Sequence, residues 1–156
     1  GEKQETSVVT DTALINIMRR SIRHPLGALA PFRVGDDGSP DVDAMYNTML
    51  VFWNAVRDTF PHAWGKQPSE SRLMHSAGLE AMGFLMDRIM ARVFGSGDAD
   101  RMIRESLTRI APNCAWTKGV WKDTSVKWNE IQNTPRHIKF LTELLIQYDY
   151  QGMRTV

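Results

Sequence analysis

The residues in this chain best suited to chemistry are its four histidines, His24, His62, His75 and His137, and its single cysteine, Cys114. No histidine pairs with another, or with Cys114, at a metal-ligand spacing such as the helical His-Glu-x-x-His motif, so no metal site is expected. Thiol catalysis needs an activating base and an oxyanion site, and the residues around Cys114 offer neither. A buried thiol beside Trp116 is the simpler expectation. Glu80 and Asp87 share one helix face, but general acid/base work needs a cleft and shifted pKa values, and a solvated face with ion pairs to Arg88 and Arg92 accounts for them equally well. The chain also lacks a GxxxxGKS/T loop and a GxGxxG fingerprint, so no phosphate cradle is expected. No catalytic residue and no cofactor is assigned, and enzymatic activity is not expected of this stretch of chain.

Binding chemistry is better represented. The stretch Ser69-Glu70-Ser71-Arg72-Leu73-Met74-His75 gathers hydroxyls, a guanidinium and an imidazole at a helix start, where outward-pointing N–H groups can hold an anion. Arg72 and His75 are therefore one candidate anion site. The competing account has Ser69 as a cap, Glu70 complementing the helix dipole and Arg72 paired with a neighbouring acid. The second candidate lies further on. Residues 101–156 carry nine Lys/Arg against five Asp/Glu, a balance of +4 within a chain whose net charge is +1. Trp116, Trp121 and Trp128 are interleaved there with Lys118, Lys122 and Lys127, followed by Arg136. Lysines on phosphates and indoles stacked on bases would make a nucleic-acid surface of Lys118, Lys122, Lys127 and Arg136. Against this, large aromatics in a small helical domain usually belong to the core.

These residues must be positioned by helices. Thr10 or Asp11 can cap a first helix carrying Ala13, Leu14, Ile17, Met18 and Ile22 on one face, ending near His24 before Pro25. Residues 34–40 form the clearest loop, after which Ser39 reads as a cap and Pro40 as the first residue of a helix reaching Thr59. A third helix, capped by Ser69 or Ser71 and running to Val93, contains Gly78 and Gly83, whose use is close helix–helix approach. Ser96 or Asp98 opens a fourth helix that Pro112 stops. The irregular stretch from Cys114 to Lys127 reads as an ordered loop, and Thr134-Pro135 opens a last helix ending near Gly152. No sustained alternation suggests a strand. The expected fold is all-α: a single globular bundle of about five helices with an ordered Trp-rich loop before the last one.

Length and composition set the outer limits. A chain of 156 residues with 42% hydrophobic and 24% charged residues suits one domain with its own core. One cysteine excludes an internal disulfide and favours a reducing, cytoplasmic setting. No apolar run approaches the ~20 residues that span a bilayer, so no membrane partner is expected. Residues 1–7 read as a tag remnant or disordered lead, 8–152 as the helical domain and 153–156 as a tail.

The stretches Phe60-Pro61-His62-Ala63-Trp64-Gly65, Ser71-Arg72-Leu73-Met74-His75-Ser76-Ala77-Gly78-Leu79-Glu80-Ala81-Met82-Gly83 and Trp128-Asn129-Glu130-Ile131-Gln132-Asn133-Thr134-Pro135-Arg136-His137-Ile138 resemble the C-terminal helical part of bacterial DGQHR-domain proteins, a family related to the B component of the DNA phosphorothioation (Dnd) systems. The resemblance covers about residues 8 to 150. It implies association with DNA modification and restriction. The Asp-Gly-Gln-His-Arg string itself is absent, and its nearest counterpart is Asp36-Asp37-Gly38-Ser39, so the resemblance implies a downstream helical domain and carries over no catalytic residue. The function expected is a non-catalytic accessory domain that contacts DNA or docks other domains of its parent protein. The alternative is a protein-interaction or dimerisation module that self-associates through the Met-rich face of the third helix, Met74, Met82, Met86 and Met90, without nucleic-acid contact.

Overall fold

A computed structural model describes residues 2–154, with side chains described from residue 12 onward. Five helices follow one another: α1 (Glu2–Arg23), α2 (Val42–Thr59), α3 (Ser76–Val93), α4 (Ala99–Ile110) and α5 (Pro135–Arg154). Short 3-10 turns occupy Ala30–Phe32, Ala111–Asn113 and Trp128–Glu130. Among the described residues there is no strand, only an isolated antiparallel bridge between Val120 and Lys127. The all-α bundle with an ordered Trp-rich loop is therefore what forms.

Helix starts depart from the sequence expectations for local reasons. α1 begins at Glu2, upstream of Thr10 and Asp11, because Glu2, Lys3, Gln4 and Glu5 are good helix formers and no Gly or Pro interrupts them. The side chains of Thr10 and Asp11, as well as Gly1, Thr155 and Val156, lie outside the described residues. The cap of α2 is Asp41, whose carboxylate accepts from the Ala44 N–H at 3.1 Å. Ser39 is not available for that role, since its N–H and hydroxyl both donate to Asp37 at 3.0 and 2.6 Å, and Pro40 stands before the helix. The cap of α3 is His75, so residues 69–74 are turns where helix was expected. Asp98 precedes α4 but pairs with Arg101 at 3.1 Å in place of a capping bond. At α5, Thr134 Oγ1 accepts from His137 N–H as its Thr-Pro start predicts, and the helix continues past Gly152 to Arg154.

α3 is the centre of the bundle, packed by α1 on one side and α5 on another, while α2 rests on α4 and α4 on α5. Its Leu79, Ala81, Met82, Leu85, Met86 and Ile89 are completely buried, and burying each large side chain contributes about 1.5–3 kcal/mol. Met74 is buried too and Met90 is packed against the core. The Met-rich face is thus core filling, because it meets α1 and α5, and it offers no adaptable surface. Gly83 lets α1 come close: a Cβ there would stand 2.8 Å from Ile17 Cγ1. Gly78 does the same for the turn before α3, since a Cβ would fall on the Arg72 carbonyl oxygen.

Candidate functional site

The Trp-rich loop is ordered because its indoles are packed inward. Trp116 and Trp121 meet edge to face with centroids 4.8 Å apart, and Phe60 packs edge-on to Trp116 at 6.1 Å. Trp121 is fully buried and Trp116 nearly so. Neither is free to stack on a base, so for these two of the three indoles the core account holds. Main-chain bonds then fold the loop back on itself: Trp121 N–H donates to Val126 O at 3.0 Å and Trp128 N–H to Gly119 O at 2.9 Å. A positive φ of 64° at Asp123 turns the tip. Tyr148 on α5 donates its hydroxyl to the Lys122 carbonyl at 2.7 Å and pins the loop from below. Burial pushes the Tyr148 hydroxyl up to about 12, with Cys114 and Asp123 adding to the shift, so it stays a donor.

This folding pairs Val120 with Lys127, puts Lys118 next to Gly119, which accepts from the Trp128 N–H, and sets Lys122 at the tip. Arg136 is in the first turn of α5. All four are exposed, and none forms an ion pair or side-chain hydrogen bond among the described residues. Three arginines of α2 and α4 behave differently. Arg57, Arg101 and Arg104 are tied to Asp58, Asp98, Asp100 and Glu105 at 2.9–3.1 Å. The unneutralised positive charge of the C-terminal third therefore sits largely on the loop and its flanks.

A groove of about 730 Å³ runs beside the loop, lined by Lys118, Thr117 and Trp128 on one side and by His62, Lys66, Ser69 and Glu70 on the other. Two lysines face one carboxylate there. His62 and Lys66 were missed in the sequence because the groove depends on a long-range backbone bond, Arg72 N–H to Trp116 O at 2.8 Å. No local spacing announces it. Trp128, half-buried, is the one indole of the loop that reaches the groove.

Arg72 and His75 have other employment. The Arg72 guanidinium donates to three carbonyls, Pro68 at 2.8 Å, Ile131 at 2.9 Å and Asn129 at 3.0 Å, and lies 5.4 Å from the Trp128 ring. It braces the groove's two walls without an acid partner. His75 Nδ1 accepts from the Ala77 N–H at 3.3 Å; desolvation first and the nearby Arg72 charge second lower its pKa, keeping it neutral as an acceptor. The Arg72 guanidinium and His75 Nδ1 are thus engaged with the backbone.

The remaining chemical candidates are structural. Asp87 accepts from Ser21 Oγ at 2.6 Å and from Ala28 N–H at 2.9 Å, fastening the end of α1 to α3. Arg92 does not pair with that face but with Asp149 on α5, at 2.6 and 2.9 Å. Cys114 Sγ lies 3.5 Å from the Ile110 carbonyl, and burial drives its thiol far above the ordinary range, the reverse of an activated nucleophile. Among the described residues no three of His, Cys, Asp and Glu gather where a metal ion could sit, and no helix is long and apolar enough to cross a membrane.

A further basic surface lies along α1, where Arg19, Arg20, Arg23 and His24 line an open depression. Comparison with family models, with curated proteins and with solved structures finds no match.

Proposed function

We propose that this chain is a non-catalytic helical domain that contacts the DNA backbone through the Trp-rich loop, as an accessory to DNA modification or restriction in the manner the DGQHR resemblance implies. The observation that carries the reading is the contrast in pairing. Lys118, Lys122, Lys127 and Arg136 are exposed without ion-pair partners among the described residues, while Arg57 of α2 and Arg101 and Arg104 of α4 are tied to acids. Unpaired cations beside a groove are what phosphate neutralisation requires, since each contact releases counterions and makes affinity fall with salt. Lys66 and Lys118 extend the row into the groove, which Trp128 also lines. Fluorescence anisotropy of labelled duplex and single-stranded oligonucleotides at low salt tests this. Binding that weakens steeply as salt rises supports the reading, and absence of binding to both forms at low salt overturns it.

A second reading, self-association, rests on a different surface from the Met-rich face. An apolar groove of about 320 Å³ separates α1 from α2 over Leu79, bordered by Met18, Trp53 and the exposed Tyr46 and Leu50. Light scattering decides it: a concentration-dependent dimer that Leu50→Glu abolishes supports this reading, and a monomer at all concentrations removes it.

A further inference from the structure

A cleft of about 520 Å³ opens where the end of α1 meets α3 and α5, a size within the ~300–1,000 Å³ of small-molecule sites. Its body is apolar, built from Phe84 and Ala91 of α3 and Ile146 of α5. Leu26 also lines it while remaining 73% exposed, an uncovered apolar side chain that a ligand's body would shield.

The charged groups of the cleft are two guanidiniums and one carboxylate. Arg20 holds its guanidinium 3.5 Å above the Phe84 ring and donates from Nη2 to the Glu80 carbonyl at 3.2 Å, so the charge is fixed in place before anything binds. Arg88 lines the same cleft, is exposed and has no ion-pair partner among the described residues. His24 accepts the Leu26 N–H on Nδ1 at 3.1 Å, which leaves its Nε2 to donate. The one carboxylate present, Asp87, already accepts from Ser21 and Ala28. Two guanidiniums therefore stand against one acid that is engaged elsewhere. Past Arg20 and His24 the cleft joins the depression lined by Arg19 and Arg23, which makes the field at that end positive.

We infer that this cleft binds a small amphipathic anion, with a carboxylate, sulfonate or phosphate head between Arg20 and Arg88 and an acyl or aromatic body against Phe84 and Ile146. The inference stands apart from DNA contact, since it shares no residue with the Trp-rich loop. The test uses 8-anilinonaphthalene-1-sulfonate as an aromatic anion whose fluorescence rises on burial. A saturable one-site titration is expected, reversed by decanoate and not by decyltrimethylammonium. Arg88→Glu, at an exposed unpaired position, should weaken binding at least tenfold, and Ala91→Trp, which fills the cleft, should abolish it. Val42→Glu, at an exposed position in the first turn of α2 outside the cleft, should leave it unchanged. Each variant is first shown by circular dichroism to melt like the parent, and Arg88→Glu alone decides if Ala91→Trp does not. Non-saturable fluorescence, equal displacement by the cationic amphiphile, or loss with Val42→Glu in place of Arg88→Glu would overturn the inference.

Discussion

Arg72 Nε donates to the Ile131 carbonyl at 2.9 Å, tying the turn before α3 to the segment that enters α5. The same guanidinium reaches Pro68 and Asn129, so one side chain holds both walls of the groove at once. Arg72→Ala should cost about 2 kcal/mol in urea unfolding, the range of a hydrogen-bonded charge whose partners lose their donor. Arg72→Lys should recover less than half, because an ammonium lacks the planar fork that serves three carbonyls. A variant as stable as the parent would mean that the bracket is idle.

Gly83 faces Ile17 across the contact of α1 with α3, and its missing Cβ would lie 2.8 Å from Ile17 Cγ1 and 2.9 Å from Cγ2. Alanine gains about 1 kcal/mol of helix propensity there and loses about 1–3 kcal/mol to overpacking. The expected net effect is mild destabilisation, relieved by Ile17→Val in a double-mutant cycle. Gly78→Ala should be worse, because its Cβ would strike the Arg72 backbone, which cannot swing aside as a side chain can. Thermal melts that rank the two in the opposite order would contradict this.

Asp149 is 1% exposed and accepts two hydrogen bonds from Arg92, which also donates to Ser106 at 3.1 Å. Removing the carboxylate leaves a guanidinium without its partner against α4 and α5. Asp149→Ala should therefore destabilise by about 3 kcal/mol, the lower end for buried pairs because Arg92 keeps some solvent contact. Replacing both partners, Arg92→Met with Asp149→Leu, should cost less than the single change, as denaturant midpoints will show.

His75 caps α3 as a neutral acceptor, and its pKa lies below the ordinary histidine value through desolvation and then the Arg72 charge. The unfolded chain therefore takes up this proton more readily than the folded one. The stability it contributes is full above the unfolded value near 6.5 and declines as pH falls through that value towards the folded pKa. Asn is an equally good cap that does not titrate. His75→Asn should match the parent's melting temperature at pH 8 and fall less between pH 7 and pH 5. Identical pH profiles would show that His75 titrates freely in the fold.

The helices were legible because their signals are local: apolar spacing, Pro after a cap, Pro at a stop. Thr134 before Pro135 capped α5 as read, and Gly83 marked a close approach. The failures are long-range or competitive. Ser39 lost the cap of α2 to Asp41 because Asp37 captured its donors. The turns of residues 69–74 are held by Arg72 against carbonyls nearly sixty positions away, which no helix-start motif encodes. Trp116, Trp121 and the methionines of α3 look alike in a sequence whether buried or displayed, and only packing separates them from Trp128. His62 and Lys66 join Lys118 through one backbone bond, and the arginines of α1 become a surface only when α3 brings Arg88 beside them.

The most direct measurement is the salt dependence of duplex binding for the parent and for Lys118→Gln with Lys127→Gln, both exposed and unpaired. Each phosphate contact contributes about 0.9 to the slope of log affinity against log salt, so loss of the two lysines should flatten it by nearly 2. An unchanged slope, or a flattening produced instead by Arg19→Gln with Arg23→Gln on α1, would contradict the assignment of DNA contact to the Trp-rich loop.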